Sequence, residues 1–164
     1  MKRLEAIIKS WILGKISIAR PMVFELDGEY YLYRYSKYLD GPVYMAMVNC
    51  YKIFGLKIEE IILDRHNFDP FVEGKDDVKE FIIRHEIAHV KLKHHTRDIF
   101  NMTPDERLEL EMEADAYAAE QVGYFTAYKS IKKLEEFFEV NYNTYDNEIE
   151  PRLKRLKRKI ETTA

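Results

Sequence analysis

Residues 81–90 read Phe-Ile-Ile-Arg-His-Glu-Ile-Ala-His-Val and contain the pattern H-E-x-x-H, whose polar members are His85, Glu86 and His89. The apolar spacing around this pattern predicts a helix that Asp76 or Asp77 caps and that runs to about Lys93. Residues four apart on a helix lie about 40° apart around its axis and about 6 Å apart along it. Both imidazoles can therefore reach one cation, and the stretch predicts a metal site on a helix.

Glu86 follows the first of the two histidines directly. From this position its carboxylate can reach a water molecule at the cation without binding the cation itself, which is where a general base must lie. We therefore expect His85 and His89 to bind Zn²⁺ and Glu86 to act as the base. The plainer alternative is a pair of helical histidines that are packed or solvated and hold no metal.

A second helix is predicted to supply the remaining protein ligand. The sequence Thr-Pro-Asp-Glu at 103–106 is a capping box with proline at the first helical position, and the helix it opens can run to Gly123. Glu111 and Asp115 are four apart on it, so one carboxylate can bind the metal while the other accepts a hydrogen bond from a ligand imidazole. Glu113 is the alternative ligand, but no acidic partner lies one turn after it.

The two segments H-E-I-A-H (85–89) and E-M-E-A-D-A-Y-A-A-E (111–120) together resemble the ImmA/IrrE family of gluzincin zinc metallopeptidases. The family motif is similar: HExxH, followed by E-x-E-A-D/N-x-F-A-x-E. The resemblance covers about Phe81 to Gly123, with Tyr117 where the family commonly has Phe. It implies hydrolysis of peptide bonds in a protein or peptide substrate. It also implies zinc ligands at His85, His89 and Glu111 and a general base at Glu86. Asp115 would contact a ligand side chain without binding the zinc itself.

Two questions about the site stay open at the level of sequence. The residue that stabilises the oxyanion could be Tyr117, Arg107 or His95. His94 and His95 are expected to end the motif helix by contacting its last carbonyl groups, although either could instead stabilise the tetrahedral intermediate. The alternative function is a zinc-binding regulatory or interaction module that keeps the zincin scaffold and cleaves little or nothing. No helix-turn-helix segment is evident, so a role as a transcription regulator is not expected.

The first half of the chain carries the signals for a small sheet. Residues 22–35 form two β-rich runs around Asp27-Gly28, which predicts a hairpin. Val43, Met47, Tyr51 and Phe54 share a helical stripe, so a helix opened by Gly41-Pro42 and ended by Gly55 is favoured over a strand. Residues 58–63 are predicted to form a strand, and residues 64–75 a loop.

Helices are predicted at both ends of the chain. Near the start, an apolar stripe is expected to pack on the core and to end at Gly14; it comprises Leu4, Ile7, Ile8, Trp11 and Ile12. Two helices are predicted near 127–138 and 151–160, and the basic side chains of the second, Arg152 among them, are expected to be solvated.

Composition supports a single domain over residues 1–164, because 164 residues of which 46% are apolar or aromatic can bury one core. The predicted class is α+β and zincin-like: a small, mostly antiparallel sheet packed on the HExxH helix, with further C-terminal helices. A formal net charge of -3 does not favour nucleic acid as a partner. Cys50 is the only cysteine, and no apolar run is long enough to cross a bilayer, so we expect a cytoplasmic protein without a membrane partner. The oligomeric state is open.

Overall fold

The computed structural model describes residues 1–16, 20–36, 45–98, 101–142 and 147–163. The α+β class is confirmed, and the chain divides into two compact units, residues 1–68 and 69–164. A single domain, and the packing of the sheet on the HExxH helix, stay predictions. The elements in chain order are α1 (Arg3–Ile16), β1 (Met22–Leu26), β2 (Glu29–Ser36), β3 (Ala46–Ile53), β4 (Leu56–Asp64), α2 (Arg65–Val72), α3 (Asp76–Lys91), α4 (Pro104–Val122), α5 (Tyr124–Tyr142) and α6 (Ile149–Thr163).

The sheet of the first unit has the strand order β1-β2-β4-β3. Strands β1 and β2 form the predicted hairpin, and its turn residues Asp27 and Gly28 have φ angles of 52° and 76°. Positive φ at both positions matches the right-handed twist of the flanking strands. The pairing of β2 with β4 is parallel and the other two pairings are antiparallel, so the predicted mostly antiparallel sheet is confirmed.

The helix predicted to begin at Gly41-Pro42 is wrong where the chain is described, because residues 46–53 form strand β3. Gly41, Pro42 and Val43 lie outside the described residues. Phe54 and Gly55 have φ angles of 50° and 78° and make a two-residue turn into β4, which contains the predicted strand at 58–63. Gly55, which was expected to end a helix, lies in the hairpin turn between β3 and β4. The eight residue pairs that join these strands outweigh the helical spacing of the apolar residues.

Helix α1 is confirmed and continues past Gly14 to Ile16, but its predicted buried face is wrong except at Ile12, which is partly buried and packs against the core. Ala6, Ser10 and Leu13 are buried, whereas Leu4 and Trp11 are 69% and 55% exposed. Ala6 and Leu13 pack in one cluster with residues of β2 and β4. Small side chains at the contact allow a helix backbone to approach a sheet closely, and this decided which face is buried.

The predicted loop at 64–75 is also wrong, because residues 65–72 form helix α2. Asp64 Oδ1 accepts a hydrogen bond from the backbone N–H of His66 at 2.9 Å, as a residue at a helix N-terminus does. Phe68 and Phe71 are buried. The polar residues and the proline that suggested a loop are therefore compatible with a short helix held by two phenylalanines.

The second unit consists of helices. Helix α3 packs on α4 and α5, and α6 packs on the same two helices. The four predicted helices are confirmed, but neither predicted cap of α3 is correct: Lys75 occupies the cap position, and Asp76 and Asp77 lie in the first turn. Among the helices of the described ranges, none combines the length and apolar character needed to cross a bilayer.

The predicted capping box opens α4. Thr103 Oγ1 accepts a hydrogen bond from the N–H of Glu106 at 3.3 Å, and the N–H of Thr103 donates to Glu106 Oε2 at 2.8 Å. Gly123, with a φ of 93°, follows the last residue of the helix. Two backbone N–H groups that have no acceptor within the helix are therefore hydrogen-bonded to side chains. They lie at the start of α4, the helix that carries the acidic residues of the site.

Replacement of Thr103 by alanine is expected to lower the free energy of unfolding by about 1 kcal/mol, because one donor at the start of α4 loses its acceptor. Urea unfolding followed by circular dichroism measures the change. Thr162→Ala, in the exposed last turn of α6, is the matched control and is expected to change stability by less than about 0.5 kcal/mol. Equal losses in the two variants would contradict a stabilising capping box.

Candidate metal centre

The H-E-x-x-H residues lie in the second half of α3. His85 and Glu86 are each 7% exposed, and His89 is partly buried. The buried residues of α4 include three alanines and one acidic residue: Ala114, Ala118, Ala119 and Asp115. Small side chains let α4 pack closely on α3, and this brings the carboxylates of α4 to the imidazoles of α3.

Three side-chain atoms converge at this contact. His85 Nε2 lies 3.1 Å from His89 Nε2 and 3.2 Å from Glu111 Oε2, and His89 Nε2 lies 3.5 Å from Glu111 Oε1. Tetrahedral ligands at 2.0–2.2 Å from zinc lie about 3.3–3.6 Å from one another. The separations are close to this range, and the three residues form a group that could hold a metal ion.

The pKa shifts of His85 and Glu111 show that their surroundings favour positive charge between them. Burial by itself lowers the pKa of His85, but hydrogen bonds to Asp115 and Glu111 outweigh it and raise the pKa to about 10. Burial raises the pKa of Glu111, but the His85 hydrogen bond and the charges of His85 and Arg152 outweigh it and hold the pKa below its usual range. Burial and the charge of His85 lower the pKa of His89 to about 3. The acidic residues thus favour positive charge beside His85 Nε2, and a divalent cation there would replace the proton.

Asp115 lies behind His85, with Oδ1 at 2.9 Å from His85 Nδ1. Arg152 of α6 contacts the same carboxylate with two nitrogens: Nε donates to Oδ2 at 2.7 Å, and a terminal nitrogen donates to Oδ1 at 2.8 Å. A further terminal nitrogen lies 3.5 Å from Glu111 Oε2. Arg152 is 8% exposed, so the prediction that the basic residues of α6 are all solvated is wrong at this position.

His94 and Glu113 form a second contact behind His89, in which His94 is buried and the Glu113 side chain is 40% exposed. His94 is 2% exposed; its Nδ1 lies 3.0 Å from His89 Nδ1 and its Nε2 lies 2.9 Å from Glu113 Oε2. Burial lowers the pKa of His94, although Glu113 opposes the shift. Only His95 fulfils the expectation of a contact with a late carbonyl of α3, since its Nδ1 lies 3.2 Å from the backbone oxygen of His89. The sequence does not predict this contact, because His94 and Glu113 lie on different elements and no helical spacing relates them.

Glu86 is the buried acid beside the first histidine. Burial raises its pKa to about 7, Glu111 acts in the same direction, and the charges of His85 and Arg152 oppose the shift. A general base works best when its pKa lies near the working pH. The raised pKa of Glu86 suits the transfer of a proton near neutrality.

The three candidates for oxyanion stabilisation lie in different surroundings. Arg107 is exposed, one helical turn before Glu111. Tyr117 is partly buried and lies six residues after Glu111, about 120° away around α4. His95 is directed at the backbone of His89. Which of them acts on an oxyanion stays a prediction.

Residues 78–135 match the family model described as Peptidase U49. The match covers about a third of the 164-residue chain and includes nearly all of α3, all of α4 and part of α5, but not α6 with Arg152. This match indicates a peptidase, which by its class acts on proteins or peptides. No curated protein and no solved structure matches the chain.

Proposed function

We propose that this chain is a zinc metallopeptidase of the gluzincin type, similar to the ImmA/IrrE family, that hydrolyses peptide bonds of a protein substrate. The observation that carries the proposal is the convergence of His85 Nε2, His89 Nε2 and a Glu111 carboxylate oxygen at separations of 3.1–3.5 Å. The match of residues 78–135 to a peptidase family model supports the same reaction class.

In the proposed reaction, His85, His89 and Glu111 would hold the metal and leave one position open for water and substrate. Zinc bound there would supply Lewis acidity to that water and to the scissile carbonyl. Glu86 accepts the proton of the attacking water and then delivers it to the leaving amine nitrogen, so the base is restored at the end of each turnover. No covalent bond forms between the chain and the substrate.

Asp115 and Arg152 have a positioning role in this proposal. The Asp115 carboxylate lies 2.9 Å from His85 Nδ1, where it favours the tautomer that carries hydrogen on Nδ1 and a lone pair on Nε2. Arg152 holds this carboxylate through two hydrogen bonds. The imidazole therefore presents Nε2 to the metal in one orientation.

Zinc is preferred over other metals on the chemistry of the ligands. Two imidazoles and one carboxylate suit a four-coordinate zinc with one open position. The same set accepts iron, manganese or cobalt, so metal analysis of the native protein belongs to the test. We also propose a cytoplasmic location, for which the single cysteine is the supporting feature.

Glu111→Ala is expected to weaken zinc binding by more than about 100-fold, since losing even a partner of a ligand costs about 10- to 100-fold. Zinc content after dialysis and competition with a chromogenic chelator measure the effect. The matched control is Glu109→Ala on the same helix, where a 51% exposed side chain pairs with Arg155. The control is expected to bind zinc as the native chain does.

Full zinc occupancy in Glu111→Ala would reject Glu111 as a ligand. The same result in a His85→Ala variant would reject the metal centre altogether.

A further inference from the structure

We infer that His94 and Glu113 are positioning residues that hold His89 in the tautomer and orientation required for metal binding. This inference rests on the proposed zinc site and deepens it. It concerns how the second imidazole ligand is held, in a chain where Asp115 already lies behind the first.

The geometry is a line of three side chains. Glu113 Oε2 lies 2.9 Å from His94 Nε2, and His94 Nδ1 lies 3.0 Å from His89 Nδ1. His89 Nε2, on the other side of the ring, faces His85 Nε2 and Glu111 Oε1. The two ring nitrogens of His89 therefore have different neighbours. Nε2 faces the other candidate ligands, and Nδ1 faces His94.

The Glu113 carboxylate determines which ring nitrogens of His94 and His89 carry hydrogen. A carboxylate oxygen accepts hydrogen bonds, so the 2.9 Å contact with Glu113 Oε2 favours the His94 tautomer that carries its hydrogen on Nε2. His94 Nδ1 is then an acceptor, and His89 Nδ1 must be the donor in the contact between the two rings. His89 Nε2 is left with its lone pair, which is the form that binds a metal.

The end of α3 places His94 where this line needs it. Lys93 has a φ of 60°, in the left-handed region, and follows Leu92, whose N–H donates to the carbonyl of Ala88 at 2.8 Å. A left-handed residue after a helix reverses the chain direction. His94 is therefore turned back under the last turn of α3, where it is buried against His89.

The same contacts separate the roles of the two glutamates of α4. Glu113 is engaged by His94 Nε2, whereas Glu111 faces the Nε2 atoms of His85 and His89. His94 approaches the Nδ1 side of His89, away from the group that could hold a metal. His94 and Glu113 thus act through His89 and are not ligands in this arrangement.

The test compares His94→Gln with His94→Leu in the full chain. A glutamine amide has an oxygen that can accept from His89 and a nitrogen that can donate to Glu113, whereas leucine can do neither. Zinc affinity, measured by competition with a chromogenic chelator, is expected to fall about 10- to 100-fold in His94→Leu and by only about threefold in His94→Gln. Changes in the visible spectrum of the Co²⁺-loaded protein should follow the same order.

His66→Leu is the matched control, because His66 is an exposed histidine of α2 and does not belong to the candidate metal centre. It is expected to bind zinc as the native chain does. Glu113→Leu should weaken binding less than His94→Leu does, and the double variant should bind no more weakly than His94→Leu alone, because both changes interrupt one line.

The outcomes distinguish this inference from the proposed function. If the native chain and His85→Ala bind zinc equally, the metal centre is wrong. If the native chain binds zinc and His94→Leu binds it equally tightly, the positioning role is wrong while the centre stands. Should His94→Leu fail to fold, ¹⁵N NMR of the zinc-loaded native chain decides: hydrogen on His89 Nδ1 and His94 Nε2 supports the inference, and hydrogen on His94 Nδ1 overturns it.

Discussion

Glu86→Gln is expected to lower the rate of peptide hydrolysis by about 10²- to 10⁴-fold and to leave zinc binding unchanged. Glutamine has almost the same shape as glutamate but cannot accept the proton of the attacking water. Because Glu86 is 7% exposed and its pKa is raised to about 7 by burial, the neutral amide is expected to keep the fold at least as stable. Cleavage of a proteome-derived peptide library, detected by mass spectrometry, measures the rate.

The control for this variant is Glu80→Gln, on the same helix, whose side chain is 50% exposed and pairs with Arg84. It is expected to cleave at the native rate. A Glu86→Gln variant that cleaves as fast as the native chain would contradict the role of Glu86. A native chain that binds zinc but cleaves no member of the library would favour the alternative, a metal-binding regulatory module on the same scaffold.

Arg152→Leu is expected to lower the free energy of unfolding by about 3–5 kcal/mol, as the loss of one partner of a buried ion pair generally does. Asp115 is 1% exposed and accepts two hydrogen bonds from this guanidinium group. Without them its carboxylate is left in the core with His85 as its remaining charged neighbour. Chemical unfolding of the metal-free protein measures the loss.

Arg155→Leu is the control, since Arg155 is on the same helix and pairs with Glu109 at the surface, where the two side chains are 39% and 51% exposed. This exposed pair is expected to contribute less than about 1 kcal/mol. Adding Asp115→Asn to Arg152→Leu should recover part of the loss, because it removes the unpaired charge. Equal losses in the two single variants would contradict a buried ion pair that holds α6 to α4.

Local sequence patterns were sufficient to predict several features of the structure. Asp27-Gly28 specifies a hairpin because both positions adopt positive φ, and the capping box at Thr103 specifies the start of α4. The spacing of His85 and His89 places both imidazoles on one face of α3, and that of Glu111 and Asp115 does the same on α4. Each of these features depends on residues within one turn of each other, and a sequence displays such neighbours directly.

Other features required the neighbours that folding brings together. Residues 46–53 have apolar positions that suit a helix or a strand, and pairing with β4 decided for the strand. The apolar stripe of α1 predicted a buried face, but small residues on the opposite face allowed closer packing. Packing against other elements outweighed local periodicity in both cases.

The sequence by itself determined which helices carry the ligand residues of the candidate centre. Only the tertiary structure decided which side chains lie behind those ligands. Arg152 is 37 residues from Asp115, and His94 is 19 residues from Glu113. Contacts over such separations depend on how α3, α4 and α6 pack, and helical periodicity relates residues within one helix but carries no information about the partner helix.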